Sequence, residues 1–216
     1  MGLALRRRGA SAGSAVAFWL ANPTLNLAVL AWITFALGWQ WAAIRGIVGL
    51  ALVAGAAVVV SRLVPSFAGD PDIAATSREE SGPWALRWLT TVVRLTLLLV
   101  PVLIVLTLIL GAVRAYLFPA ITPEWANNPL VILGFAVAGM TFPIPTGAEI
   151  PIIQTMRSYG LGAGPAGALL LTLAPLNLPS LAMVSHGFPP RALAALAGLT
   201  ALAGVVAGGL AMAFGL

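Results

Sequence analysis

Apolar residues run through this chain in long blocks, and polar residues gather in the gaps between them. Residues 13–44, 95–113, 125–148 and 192–216 hold no ionisable side chain. A helix needs about 20 residues to cross a hydrocarbon core. Backbone in lipid must satisfy its own N–H and C=O groups, so such blocks should be helices. The pattern predicts an all-α polytopic membrane protein with six crossings: 12–37, 41–60, 86–115, 129–157, 164–187 and 191 to the C-terminus. Between the second and third lies 66–83, where Asp70, Asp72, Arg78, Glu79 and Glu80 sit among small residues and prolines, a solvent loop by composition. A shorter loop with Pro119, Pro123, Glu124 and Asn127 precedes the fourth crossing, and Pro101 predicts a mild kink in the third.

Three crossings are interrupted, at 21–26 (Asn22, Pro23, Asn26), at 143–147 (Pro143, Pro145, Thr146, Gly147) and at 174–179 (Pro175, Asn177, Pro179). A broken membrane helix leaves backbone groups unpaired at depth, which is tolerated only where protein or a watery cavity satisfies them. Half-helix ends also carry partial charge, positive at N-termini and negative at C-termini, and so make sites for ions or polar solutes. The bland alternative is that each proline only kinks its helix. Three breaks near the expected midplane favour a central binding site built from Asn22, Pro23, Asn26, Thr146, Gly147, Pro175 and Asn177.

Composition strengthens the membrane reading. The chain is 60% apolar and 8% charged, against roughly 25% charged for a soluble domain. Its net charge of +5 comes from eleven basic residues, all arginine, placed between or at the edges of apolar runs. That is a topology signal rather than a nucleic-acid surface. Alternating six crossings puts Arg6, Arg7, Arg8, Arg62, Arg78, Arg87 and Arg157 on one side and Arg45, Arg114 and Arg191 on the other. The positive-inside rule then predicts a multi-pass protein of the inner (cytoplasmic) membrane with both termini cytoplasmic. Trp39, Trp41, Trp84, Trp88 and Trp125 fall at the expected water interfaces, and Arg94 is expected to snorkel.

Self-similarity changes the picture further. At an offset of 151, Arg6, Gly9, Ala12, Gly13 and Ala15 match Arg157, Gly160, Ala163, Gly164 and Ala166. The match resumes at Leu25-Asn26-Leu27 against Leu176-Asn177-Leu178. With both copies starting on the cytoplasmic side, the repeat is expected to be parallel, about an axis along the membrane normal. The expected domains are 1–63 (end of a first repeat), 64–85 (cytoplasmic loop), 86–128 (connecting helix and outer loop) and 129–216 (second repeat). The broken helix before the second copy has no counterpart before Gly9. Either the first copy lacks it or the chain is an N-terminally truncated fragment. The glycine pairs Gly9/Gly13, Gly160/Gly164 and Gly204/Gly208 suggest close helix packing, although the first two also read as turns.

Glu149 is the one carboxylate inside an expected membrane segment. An acid at that depth can carry a proton or neutralise a cationic substrate; the structural alternative is a protonated cap on the half-helix after Gly147. His186, at the outer end of the fifth crossing, is a weaker candidate for proton handling. There is no cysteine and no cluster of acid, base and nucleophile, so neither an enzyme, a metal centre nor a cofactor is expected.

Pro145-Thr146-Gly147-Ala148-Glu149-Ile150-Pro151, the basic turn with Gly160, and Leu176-Asn177-Leu178-Pro179-Ser180 resemble the second half of a bacterial and archaeal permease family that includes the organoarsenical efflux permeases. Phe18-Trp19-Leu20-Ala21-Asn22-Pro23 with Leu37-Gly38-Trp39 is similar to the end of its first half. The resemblance implies two related halves with functional residues at mid-membrane breaks. It also implies a cysteine motif upstream of the stretch matching Leu5 to Gly13, and without a thiolate an arsenical substrate rests on analogy alone. The expected function is a proton-coupled exporter of a small molecule or ion, with Glu149 carrying the proton. The rival reading is a non-transporting subunit packed against a partner protein. Lipid is an expected partner, nucleic acid is not, and oligomers are compatible with the pattern.

Overall fold

In the computed structural model of the chain, the described residues are 5, 9–64, separate positions between 86 and 101, 128–185 and 187–216. Their regular structure is helical: α1 (Ala12–Thr24), α2 (Leu27–Ala36), α3 (Trp39–Leu63), α4 (Pro129–Gly139), α5 (Glu149–Ser158), α6 (Ala163–Thr172), α7 (Leu178–Val184) and α8 (Pro190–Ala213). These eight helices belong to one compact unit, and the helical positions between 86 and 101 to another. The expected loop at 66–83, most of the third crossing, Arg94, Glu124 and His186 lie outside the described residues.

Three stretches are long and apolar enough to cross a membrane among the described residues: Ala12–Ala36, Trp39–Leu63 and Pro190–Ala213. The chain is an integral membrane protein of helices. By contrast α4 and α5 hold 11 and 10 residues, each roughly 15 Å at 1.5 Å per residue and half a hydrocarbon core.

Short polar side chains set the joints. The Asn26 side-chain oxygen accepts from the N–H of Ala28 at 3.0 Å and of Val29 at 3.3 Å, opening α2. Asn177 opens α7 with a reciprocal box: its oxygen accepts from the Ser180 N–H at 2.9 Å, and its own N–H donates to the Ser180 hydroxyl at 3.1 Å. Asn128 caps α4 just before Pro129. Each cap satisfies backbone donors left open in the first turn of its helix, and those of Asn26 and Asn177 do so within the crossings. Asn26→Ala and Asn177→Ala are each expected to cost about 1 kcal/mol. Thermal unfolding in detergent checks this, and unchanged midpoints for both variants would refute it.

Small residues bring the helices into near backbone contact, since lipid offers no hydrophobic drive for association. All ten residues of α6 are buried. A β-carbon on Gly208 of α8 would lie 2.5 Å from the Gly164 carbonyl oxygen, and one on Gly13 of α1 would lie 2.6 Å from that of Ala57 in α3. Of the suggested packing pairs, Gly13, Gly164, Gly204 and Gly208 do pack against neighbouring helices.

These contacts also fix direction. The start of α1 lies against the end of α3 (Gly13 on Ala57 and Ser61), and Arg191 at the start of α8 donates to the Leu63 carbonyl at 3.0 Å. The end of α3 and the start of α8 therefore share one end of the bundle, and the two long helices run antiparallel. At the opposite end, Arg157 of α5 stacks on the ring of Trp41 at 5.0 Å, and Gly164 of α6 meets Gly208 and Met212 of α8. The start of α4 is there too, with Ile132 against Gly164. Meanwhile Gly139, at the end of α4, faces Leu169 and Thr172 near the end of α6. So α4 runs inward beside α6, and α5 runs back to the end where α4 began, forming a re-entrant hairpin.

Several expectations are corrected by this geometry. The stretch 129–157 is not a broken crossing, because its two half-length helices both pack against α6, one running inward and the other back, rather than stacking end to end. Removing one crossing reverses everything after it. A parallel repeat would require α3 and α8 to point the same way, and they point oppositely. Ala12 and Ala213 consequently lie at opposite ends of the unit, not on one cytoplasmic side. Trp41 is a core residue, 2% exposed, rather than an interfacial anchor. Arg45 is buried, as described next.

Candidate functional site

Near its N-terminal end α3 carries Arg45, 1% exposed. A guanidinium in an apolar bundle requires both a counter-charge and acceptors for its N–H groups. The fold supplies both. Nε donates to the Thr24 carbonyl at 3.1 Å and Nη2 to the Pro23 carbonyl at 2.8 Å, at the end of α1. Nη1 donates to the Leu170 carbonyl of α6 at 2.9 Å and lies 2.6 Å from Glu149 Oε1, at the start of α5. The approach to Oε1 is a buried ion pair.

Helix termini explain why these partners converge. The carbonyls come from the last turns of α1 and α6, where helix dipoles present negative charge to a cation. Glu149 occupies the first turn of α5, where a carboxylate is favoured. Its other oxygen, Oε2, accepts from the Gly147 N–H at 2.7 Å. Gly147 has φ +99, a left-handed conformation that side-chain-bearing residues rarely adopt. That turn aims its N–H back at the carboxylate, and a β-carbon there would lie 3.1 Å from the Trp32 ring of α2. One arginine thus ties together α1, α3, α6 and the tip of the hairpin.

A cleft of about 430 Å³ opens where the α1–α2 joint meets the α6–α7 joint. Phe18, Trp19, Asn22 and Pro23 line one side, and Pro175, Asn177 and Ser180 the other. None of its described lining residues is ionisable. Pro23 belongs to both features: it lines the cleft, and its carbonyl receives the Arg45 Nη2 hydrogen bond.

Of the residues expected at the site, Asn22, Pro23, Pro175 and Asn177 come together at the cleft, while Gly147 and Glu149 come together at the ion pair. Asn26 and Thr146 join neither. The Asn26 oxygen is engaged in capping α2, and Thr146 is exposed. Arg45 is the residue that sequence reasoning missed, having been assigned to the outer surface. Its signal was available: it falls inside an apolar helix, and a membrane-buried acid demands a partner.

Among the described residues there is no cluster of histidine, cysteine or carboxylates that could hold a metal ion. A profile of predicted permeases matches residues 3–213. The UPF0718 protein YraQ of Escherichia coli (strain K12) is 42% identical over 213 residues, 97% of this chain and 61% of that protein. The UPF0718 protein MJ0584 of Methanocaldococcus jannaschii is 30% identical over 100 residues, 45% of this chain and 27% of that protein. The chain therefore spans less than two thirds of the length of either relative. No solved structure matches it. All eight helices fall within the matched stretch, and the chain belongs to the family of predicted permeases.

Proposed function

We propose that this chain is the membrane core of a proton-coupled exporter for a small solute, which binds in the cleft between the two helix joints. The observation that carries this reading is the placement of Glu149. It is fully buried, it is paired with Arg45, and Arg45 in turn holds the carbonyl of Pro23, a residue of the cleft wall. A proton on Glu149 cancels the ionic tie, while the guanidinium keeps its three carbonyl acceptors. The element released is the tip of the re-entrant hairpin, while Arg45 stays anchored to the cleft wall through Pro23. Outward transport follows the resemblance to efflux permeases.

An inverted two-fold architecture supports the same reading. Ala12, Leu27 and Trp39 open one trio of helices; Ala163, Leu178 and Pro190 open another, each 151 residues later. Asn26 and Asn177 cap equivalent helices, and Gly9 and Gly160 share a left-handed φ of +89 and +95. With α3 and α8 antiparallel, the axis relating the trios lies in the membrane plane, the arrangement of inverted-repeat transporters that bind solute at the midplane. Arg62 and Arg191 sit at one end of the unit and Arg157 at the other, so the positive-inside rule makes the first end cytoplasmic.

Proteoliposomes containing the protein and a pH-sensitive dye test the coupling. Adding solutes from a panel of small organic and inorganic compounds should elicit proton flux for at least one of them. Glu149→Gln, which keeps an acceptor for the Gly147 N–H, is expected to fold and to reduce that flux to the level of protein-free vesicles. Undiminished solute-driven proton flux in the folded variant would remove Glu149 from the mechanism.

A further inference from the structure

We infer that the cleft takes an uncharged solute, one with an amide- or hydroxyl-like polar edge and an apolar face, and that it rejects both cations and anions. This inference rests on the reading of the cleft as the solute site and specifies its substrate class.

Half-helix ends at a membrane joint usually attract ions, and here the ends of α1 and α6 give carbonyls to Arg45 and the start of α7 is capped from within. The carbonyls at the end of α1 that would hold a cation are those of Pro23 and Thr24, and both accept from Arg45. On the α6 side, the Leu170 carbonyl is held by the same guanidinium. Arg45 is therefore a tethered cation seated where a free one would bind. At the start of α7 the donors that would hold an anion are closed by the reciprocal Asn177–Ser180 box. Glu149, the one carboxylate side chain among the described residues, is paired with Arg45 and does not line the cleft.

Little is left to hold a charge in the cleft. Its described wall offers the rings of Phe18 and Trp19, the amides of Asn22 and Asn177, and the Ser180 hydroxyl. An ion placed there would lose its hydration without gaining a counter-ion, at a cost of several kcal/mol. A neutral solute loses only hydrogen bonds to water, which the Asn22 amide and the NH2 group of Asn177 can replace, while its apolar face lies on the rings. The volume of about 430 Å³ is that of a small organic molecule rather than a bare ion.

Three probes of one shape separate the possibilities: benzamide (neutral), benzamidinium (cation) and benzoate (anion). Binding is measured by calorimetry on the full chain in nanodiscs at pH 8, where an ordinary histidine is neutral. Benzamide is expected to bind about tenfold more tightly than either charged analogue, and Asn22→Ala, an exposed position outside every cap, to weaken it. Tightest binding of benzamidinium or of benzoate overturns the inference, as does failure of all three to bind, or benzamide affinity unchanged in Asn22→Ala. The permease reading is judged separately by the proton-flux assay. Glu149-dependent flux together with a charged preference sinks only the substrate class; neutral binding without flux sinks only the transport reading.

Discussion

Arg45→Ala lowers the stability of the folded unit by about 3–5 kcal/mol, the range for removing one partner of a buried ion pair. Two losses add. Glu149 is left fully buried without a counter-charge, and the carbonyls of Pro23, Thr24 and Leu170 lose the N–H groups that satisfy them at depth. Arg45→Lys does not restore stability, because a single ammonium cannot reproduce a planar fork addressing four oxygens from three helices. Glu149→Gln is milder, since Arg45 keeps three carbonyl partners and the Gly147 N–H keeps an acceptor. The combination Arg45→Ala with Glu149→Gln should be less damaging than the sum of the single changes, because together they leave no bare charge behind. Thermal unfolding in detergent with a monodispersity check reads all four variants. If Arg45→Ala unfolded at the parental temperature, the guanidinium would be an ornament of the bundle rather than its central tie.

The second large effect is expected at Gly208. A β-carbon here meets the Gly164 carbonyl oxygen at 2.5 Å and the Ile132 side chain at 2.8 Å, so α8 can accept it only by moving away from α6 and α4. Overpacking of this kind costs about 1–3 kcal/mol. Gly208→Ala should lie within that range and Gly208→Leu beyond it, with loss of monodisperse protein. The neighbouring residue is an internal control. Gly209 is exposed and has nothing within 4 Å of a β-carbon, so Gly209→Ala gains helix propensity of up to about 1 kcal/mol without a clash. Opposite signs at adjacent glycines would show that the α6–α8 contact, and not glycine content, sets stability. Equal effects would contradict the close approach.

Hydropathy was enough to establish several features. Long uncharged runs determine helices in lipid, because the backbone has no other way to satisfy itself there. Asn26, Asn128 and Asn177 open helices through bonds two or three residues away, a local role that the sequence reading did not assign to them, Asn26 and Asn177 being expected as site residues. Glu149 stood out because carboxylates are rare in apolar stretches.

Direction and partnership were decided by the tertiary structure. Two half-length helices joined by a polar turn have the same hydropathy whether they stack end to end or lie side by side. Joint length does not settle it: the two-residue joint between α1 and α2 continues one span, while the equally short one between α2 and α3 reverses the chain. The course of α4 and α5 is set by small-residue packing against α6. One undetected reversal inverted every later helix in the expected topology, and with it the side assigned to Arg157 and Arg191. Arg45 was misplaced for a related reason. Charge alternation treats an arginine near a helix end as a surface marker, but its burial depends on Thr24, Glu149 and Leu170, which lie as much as 125 residues away along the chain. Apolar length is a local property of the sequence. Which helix ends meet, and therefore which charge finds which counter-charge, is a property of the packed bundle.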